Sequence, residues 1–173
     1  MVRKATLADL DAIAQIYTAV LDAEEFGLVT TGWCRNVYPV RSTAEASILR
    51  GDMFVLEENG QIIVTGIINQ IQSPQYVDCK WNYNVPDEEI MVLHTLAVHP
   101  DFLKKGYGSR FMAFYETYAL EHGCHYLRID TQEKNTQARA VYRKLGYSEQ
   151  GVVYCTFNQI PNVRLVCLEK KIE

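Results

Sequence analysis

LAVHPDFLKKGYGS, residues 96–109, is the stretch that decides the fold. An apolar segment runs into a turn with two lysines and two glycines, and apolar residues at helical spacing follow. Glycine lets backbone amides approach a ligand closely, and the first turn of a helix adds free N–H groups and a positive dipole. We therefore expect this turn to bind a phosphate or pyrophosphate, with Lys104 and Lys105 supplying positive charge.

Three interpretations of the turn, taken by itself, can be compared with its residues. A P-loop needs Lys and then Ser or Thr after its second glycine, whereas Ser109 and Arg110 follow Gly108. A dinucleotide-binding turn needs a third glycine where Phe111 stands, although Asp130 mimics the acid that binds ribose there. An ordinary strand-to-helix turn, with glycine for geometry alone, is the third.

The flanking segments predict a mixed sheet with helices. A helix with one apolar stripe begins near Thr6, and Asn59-Gly60 predicts a hairpin between two strands. The other predicted elements are a short helix at 42–50, a buried strand at 90–98, a helix at 108–122, a strand at 125–131, a helix from 135 to 145, and two closing strands around Pro161-Asn162. This order indicates an α/β or α+β fold.

Composition excludes several classes of protein. The chain has 173 residues, 48% of them hydrophobic, which suits one compact domain over residues 1–173. Its formal charge of −4 argues against a basic nucleic-acid-binding surface. With no long apolar run and a polar N-terminus, we expect a cytoplasmic protein with no membrane partner. Five cysteines without a CxxC pair predict reduced thiols and no metal site.

Three motifs in order carry a resemblance. V-x-P-x-x-x-x-x-G-x-G starts at Val98, a strand ends at Arg128–Thr131, and N-x-x-A-x-x-x-Y-x-x-x-G-Y runs from Asn135 to Tyr147. Together they resemble the acyl-CoA-binding core of the GNAT superfamily of N-acetyltransferases. The resemblance implies a mostly antiparallel sheet in which strands 4 and 5 splay apart, with about four helices, and a homodimer through the C-terminal strands.

The same resemblance implies an activity and its alternatives. We expect transfer of an acetyl group from acetyl-CoA to a primary amine of a small molecule, with no metal. The alternatives are acetylation of a protein or peptide N-terminus or a lysine, and a CoA-binding regulatory module without turnover. Leu103 stands where the family usually has Gln or Arg. Because the family binds pyrophosphate mainly through backbone amides, binding is expected to survive this change, with Lys104, Lys105 or Arg110 supplying charge. The predicted cofactor-binding residues are Leu96, Ala97, Val98, Leu103, Lys104, Lys105, Gly106, Tyr107, Gly108, Ser109, Asn135 and Tyr142.

The chemistry needs a base for the amine and an acid for the thiolate. His94 is the first candidate base, because an imidazole titrates near neutral pH, and Glu89 is its rival; a core histidine bonded to backbone is an equal alternative. The resemblance places the acid at Tyr142, which otherwise packs in its helix stripe. Asn135 is also a natural helix N-cap.

The acceptor side is expected in two irregular segments, 22–40 and 72–88. Their aromatic residues would flank the acceptor, and an acidic residue would attract a cationic amine. The predicted acceptor-binding residues are Glu25, Trp33, Tyr38, Trp81 and Tyr83. Residues 101–144 carry eight Lys or Arg against five Asp or Glu, and the remainder carries nine against sixteen. We interpret this as a basic side for a phosphorylated cofactor and an acidic side for a cationic acceptor.

Overall fold

The computed structural model describes every residue from 1 to 173. Seven strands form one sheet in the order β1-β2-β3-β4-β5-β7-β6, and every neighbouring pair is antiparallel except the parallel pair β4–β5. The strands are β1 Val2–Lys4, β2 Met53–Glu58, β3 Gln61–Asn69, β4 Ile90–Val98, β5 Tyr126–Gln132, β6 Ser148–Phe157 and β7 Ile160–Lys171. The helices are α1 Leu10–Glu25, α2 Arg41–Arg50, α3 Tyr107–Glu121 and α4 Thr136–Lys144. The predicted fold class is therefore confirmed.

Helices cover both faces of the sheet. Side chains of a strand alternate between faces, so Met53 and Val55 of β2 pack with the apolar stripe of α1, whereas Phe54 and Leu56 pack with α3 and α4. A third apolar cluster joins β7 to the segment that precedes β4. This packing fixes the central strands, whose ends carry the candidate site.

Local signals in the sequence explain two element boundaries. The backbone N–H of Thr6 donates to the Asp9 carboxylate at 2.7 Å, just before α1. The Asn59-Gly60 hairpin has the two positive φ angles of a type I′ turn, 51° and 77°, and Glu58 pairs with Gln61. Both features were predicted.

The last hairpin turns earlier than predicted. Phe157 pairs with Ile160, so the two turn residues are Asn158 and Gln159, with φ angles of 50° and 65°. The prediction of a turn at Pro161-Asn162 was wrong, because the register of β6 against β7 places Pro161 inside β7. A two-residue hairpin loop of type I′ or II′ needs a positive φ at its first residue, and proline cannot adopt one.

None of the helices combines the length with the apolar character that a membrane-spanning segment requires. The cytoplasmic location, the homodimer and the single-domain organisation stay predictions.

Candidate active site

The candidate site is built around a gap between β4 and β5. The two strands pair only from Ile90–Leu93 against Tyr126–Ile129. Beyond that point β4 pairs with β3 alone and β5 with β7 alone. Thr95 has a φ of 51°, and the register slips so that Thr95 and Leu96 oppose the single residue Gly66. This bulge turns the last residues of β4 away from β5 and opens the gap.

The turn after β4 presents a row of free amides. None of the backbone N–H groups from Lys104 to Ser109 donates to a protein acceptor. Gly106 precedes α3 with a φ of 83°, in the left-handed region that glycine enters freely, and Lys104 has a φ of 60°. Neither Lys104 nor Lys105 forms an ion pair, whereas Arg110 is bonded to Glu58 at 2.9 Å. The geometry fits an anion.

A groove of about 240 Å³ runs from this turn along the end of β4 to α4. Of the predicted cofactor-binding residues, all but one line this groove. The exception is Lys105, whose ammonium lies over the Phe102 ring, 5.0 Å from its centroid.

A second cavity, of about 440 Å³, lies on the other side of the gap. It is lined by one face of α2 and by residues of β3, β4, β5 and the β6–β7 hairpin. Both cavities are lined by Thr31, Leu96, Asn135, Ala138 and Tyr142. The groove and the cavity therefore meet beside Tyr142, where a group held in one can reach a group held in the other.

Two of the predicted acceptor residues line the second cavity. Trp33 and Tyr38 form an edge-to-face pair with ring centroids 6.4 Å apart, and the Tyr38 hydroxyl is hydrogen-bonded to the Thr95 hydroxyl. The aromatic pair therefore sits directly on the bulge of β4.

Three predicted acceptor residues lie elsewhere. Trp81 covers the Arg128 guanidinium at 4.0 Å, and the Tyr83 N–H points to Glu169 at 3.3 Å. Arg128 and Glu169 are a buried ion pair, and this pair holds Trp81 and Tyr83 against the sheet, outside the cavity. Glu25 is exposed and bonds Arg35 at 2.7 Å.

Glu24, one position earlier, does organise the cavity wall. Its carboxylate accepts hydrogen bonds from the N–H groups of Thr31 and Gly32 at 2.5 and 3.0 Å, and the Lys134 ammonium lies 3.4 Å away. Gln132 donates to the Gly32 carbonyl at 2.9 Å. These bonds tie the segment after α1 to the end of β5.

His94 lines the cavity as a neutral imidazole. Its Nε2 lies 3.1 Å from both Asn69 Oδ1 and the Ile71 carbonyl, so it donates the proton and Nδ1 keeps its lone pair. Burial lowers the pKa of His94 to about 4. The rival base, Glu89, lines neither cavity and lies near the Cys124 thiol, whose pKa is raised by burial and by that carboxylate's charge.

Tyr142 and Asn135 stand at the junction of the two cavities. The Tyr142 hydroxyl makes no hydrogen bond within the protein, and burial together with the charge of Asp130 raises the pKa of the phenol. Asn135 caps α4, accepting from the Ala138 N–H at 3.3 Å, and donates to the Thr131 hydroxyl at 3.1 Å. The expected cap is confirmed.

Asp130 was not predicted as an acceptor-side residue, yet it lines the second cavity. Burial raises the pKa of Asp130 to about 6, although the Tyr76 hydroxyl, 2.8 Å away, opposes the rise. The sequence contains a partial signal, because Asp130 is an acidic residue inside the predicted strand 125–131, but its place in the cavity depends on the folded sheet.

Known proteins resemble this chain in sequence and in fold. An uncharacterized N-acetyltransferase of Methanocaldococcus jannaschii is 25% identical over 153 residues, which cover 88% of this chain but only 62% of that protein. A GNAT family acetyltransferase from Streptococcus agalactiae has a TM-score of 0.78 at 23% identity, with 100% of this chain and 95% of that chain covered. The Salmonella typhimurium protein yncA, solved with its cofactor acetyl-CoA, has a TM-score of 0.69 at 18% identity, with 100% and 94% covered.

A family model also matches most of the chain. The model of the acetyltransferase (GNAT) family matches residues 15–147, which include the bulged strand, the amide-rich turn and the whole of α4. This chain belongs to the GNAT family of acetyltransferases.

Proposed function

We propose that this chain transfers an acetyl group from acetyl-CoA to the primary amine of a small molecule. The observation that carries the proposal is the junction of the two cavities at Leu96 and Tyr142. One cavity ends in free amides suited to a pyrophosphate, and the other, at about 440 Å³, has a size typical of small-molecule sites. The yncA structure, which holds acetyl-CoA in the same fold, supports the assignment of the groove.

The turn after β4 and Tyr142 have separate roles in this proposal. Acetyl-CoA supplies an acyl group activated as a thioester. The amides from Lys104 to Ser109 bind its pyrophosphate, and the unpaired lysines add charge. Tyr142 protonates the departing sulfur, since its hydroxyl is free of protein partners and stays protonated at neutral pH.

His94 is less suited to act as the general base than the sequence predicts. A pKa near 4 leaves it neutral at pH 7 but makes it a weak base. We propose that it positions the acceptor through Nδ1, while its Nε2 fastens β4 to the end of β3.

A thiol-release assay with acetyl-CoA tests the proposal. The panel contains small primary amines, aminoglycosides, peptides with free N-termini and lysine peptides. We expect turnover with small amines, and a fall in kcat of about 100-fold for Tyr142→Phe. Tyr154→Phe is the matched control, since Tyr154 is exposed on β6 and lines neither cavity.

Three outcomes would contradict parts of this proposal. Preferred turnover of peptides would move the acceptor to proteins. Acetyl-CoA binding without turnover of any amine would indicate a regulatory module. Full activity of Tyr142→Phe would remove the tyrosine from the chemistry.

A further inference from the structure

The acceptor cavity contains a partly buried carboxylate, that of Asp130, which has no cationic partner. Asp130 Oδ2 accepts a hydrogen bond from the Tyr76 hydroxyl at 2.8 Å, and this is the one hydrogen bond that the carboxylate makes within the protein. Asp130 takes part in none of the ion pairs of the structure. The only Lys or Arg in the cavity wall is Arg50, which is paired with Asp52 at 2.9 Å.

The groups that face Asp130 are all neutral at pH 7. Its charge acts on Tyr76 in the short 3₁₀ helix Pro74–Asp78, on Tyr38 after α1 and on Tyr142 in α4. It also acts on Cys155 of β6 and Cys167 of β7. A buried charge without a counterion is costly, and a cationic ligand would remove that cost.

We propose that Asp130 binds the ammonium group of the acceptor and takes its proton, and that the acceptor is a primary amine on an apolar or aromatic body. This inference rests on the proposed function and names its substrate class. The body is assigned from the hydrophobic half of the wall, 13 of the 26 residues that line the cavity. Its members include Trp33, Ile67, Ile71, Phe157 and Ile160.

The proton transfers balance. The R–NH₃⁺ group gives one proton to the Asp130 carboxylate, and the free amine then attacks the thioester carbonyl. The C–N bond forms and the C–S bond breaks, with the sulfur taking a proton from the Tyr142 hydroxyl. The new amide nitrogen gives its second proton to the Tyr142 phenolate, and Asp130 releases the first one to solvent. The products are the N-acetylated amine, the CoA thiol and one proton.

The electrostatics of the pair favour this order of events. Because burial raises the pKa of Asp130 to about 6, the group is ionised at pH 7 and is a stronger base than His94, whose pKa is about 4. The charge of Asp130 is one cause of the raised pKa of Tyr142. When Asp130 accepts the proton, that cause disappears, so the phenol becomes a stronger acid as the sulfur departs.

The test compares wild type with Asp130→Asn and with Glu25→Gln. Glu25→Gln also removes one acidic charge, but from an exposed residue outside both cavities. Phenethylamine and other arylalkyl and alkyl monoamines serve as acceptors. We expect Asp130→Asn to lose 100-fold or more in kcat/KM, with the Kd of acetyl-CoA within twofold of wild type and Glu25→Gln unchanged. In wild type, kcat/KM falls as the pH drops through about 6, since Asp130 becomes protonated, and this limb is absent in Asp130→Asn.

Tyr76→Phe provides a second variant that keeps the carboxylate. The Tyr76 hydrogen bond lowers the pKa of Asp130, so its loss moves the acid limb of kcat/KM to higher pH. A merely structural role of Tyr76 would leave the midpoint of that limb where it is.

The outcomes separate this inference from the proposed function. Suppose that wild type turns over, that kcat/KM of Asp130→Asn is within threefold of wild type, and that Asp130→Asn keeps the acid limb. This result overturns the inference and leaves the proposed function intact. If wild type acetylates no amine, the proposed function fails, and calorimetric binding of phenethylamine decides the inference. Binding to wild type that is lost in Asp130→Asn then supports the ammonium site, whereas equal or absent binding overturns it.

Discussion

Gly66→Ala is expected to destabilise the protein through one buried contact. A Cβ at this position of β3 would lie 2.8 Å from Cε1 and 3.0 Å from Cζ of Phe111, and 3.1 Å from Leu93 Cδ1. Carbon atoms prefer separations of about 3.5–4.0 Å, so the nearest contact is short by about 0.7–1.2 Å. Phe111 and Leu93 are fully buried, and β3 cannot retreat without losing its pairing with β4 at the bulge.

The expected loss is about 1–3 kcal/mol, the usual cost of overpacking a core. A loss of about 2 kcal/mol lowers the Tm of a chain of this size by about 4–8 °C. Urea unfolding followed by circular dichroism measures the free energy, and an unchanged m-value shows that the comparison is valid.

A double-mutant cycle tests the cause. Phe111→Leu removes the two ring atoms nearest to the new methyl group, although it leaves a cavity of its own. The loss of stability in the double variant is expected to be smaller than the sum of the two single losses by about 0.5–3 kcal/mol. Strict additivity, or a loss below about 0.5 kcal/mol for Gly66→Ala, would refute the contact as the cause.

Three further predictions concern the turn, the helix start and the buried ion pair. Gly106→Ala is expected to cost about 1–2 kcal/mol from its φ of 83° and to weaken acetyl-CoA binding in calorimetry. Gly27→Ala is the matched control, because Gly27 has a φ of 72° and open space around it. It is expected to lose similar stability and to keep the affinity for acetyl-CoA. Asp9→Asn lowers stability at pH 7, because hydrogen bonds from Arg3 lower the pKa of Asp9 to about 2 in the folded protein. The ionised Asp9 stabilises the fold fully above pH 4, and this stabilisation is lost towards pH 2. The difference in free energy of unfolding between wild type and Asp9→Asn is therefore expected to shrink on acidification, and a constant difference would contradict the prediction. Glu169→Ala leaves the buried Arg128 unpaired and is expected to cost about 3–5 kcal/mol in urea unfolding, whereas a cost below about 1 kcal/mol would exclude the pair as the anchor of segment 72–88.

Short-range patterns in the sequence predict much of this fold. The apolar stripe of α1, the Asn59-Gly60 hairpin and the N-cap at Asn135 depend on residues a few positions apart, so the pattern contains the information needed. The cofactor groove follows the predicted residues closely for the same reason, since a strand, a turn and one helix supply most of it.

Features that depend on distant residues were harder to predict. The bulge at Thr95 lies opposite Gly66 of β3, which packs against Phe111 of α3, and the position of Trp81 depends on the ion pair of Arg128 with Glu169. A shift of one residue turns a helical side chain by about 100°, and Glu24 therefore reaches the cavity wall where Glu25 does not. Asp130 gains its importance from burial, which only the assembled sheet reveals.

The bonds of Glu24 have a consequence for how two ligands bind. Thr31 lines both the groove and the cavity, and Glu24 holds Thr31 in place from the end of α1. A ligand that orders this segment from either side reduces the conformational entropy that the other ligand must overcome. Acetyl-CoA and the amine are therefore expected to bind with positive cooperativity, and each raises the affinity of the other by the same factor. Glu24→Gln weakens the hydrogen bonds that hold Thr31 but changes no residue that contacts either ligand. The factor by which each ligand raises the affinity of the other is therefore expected to change in this variant.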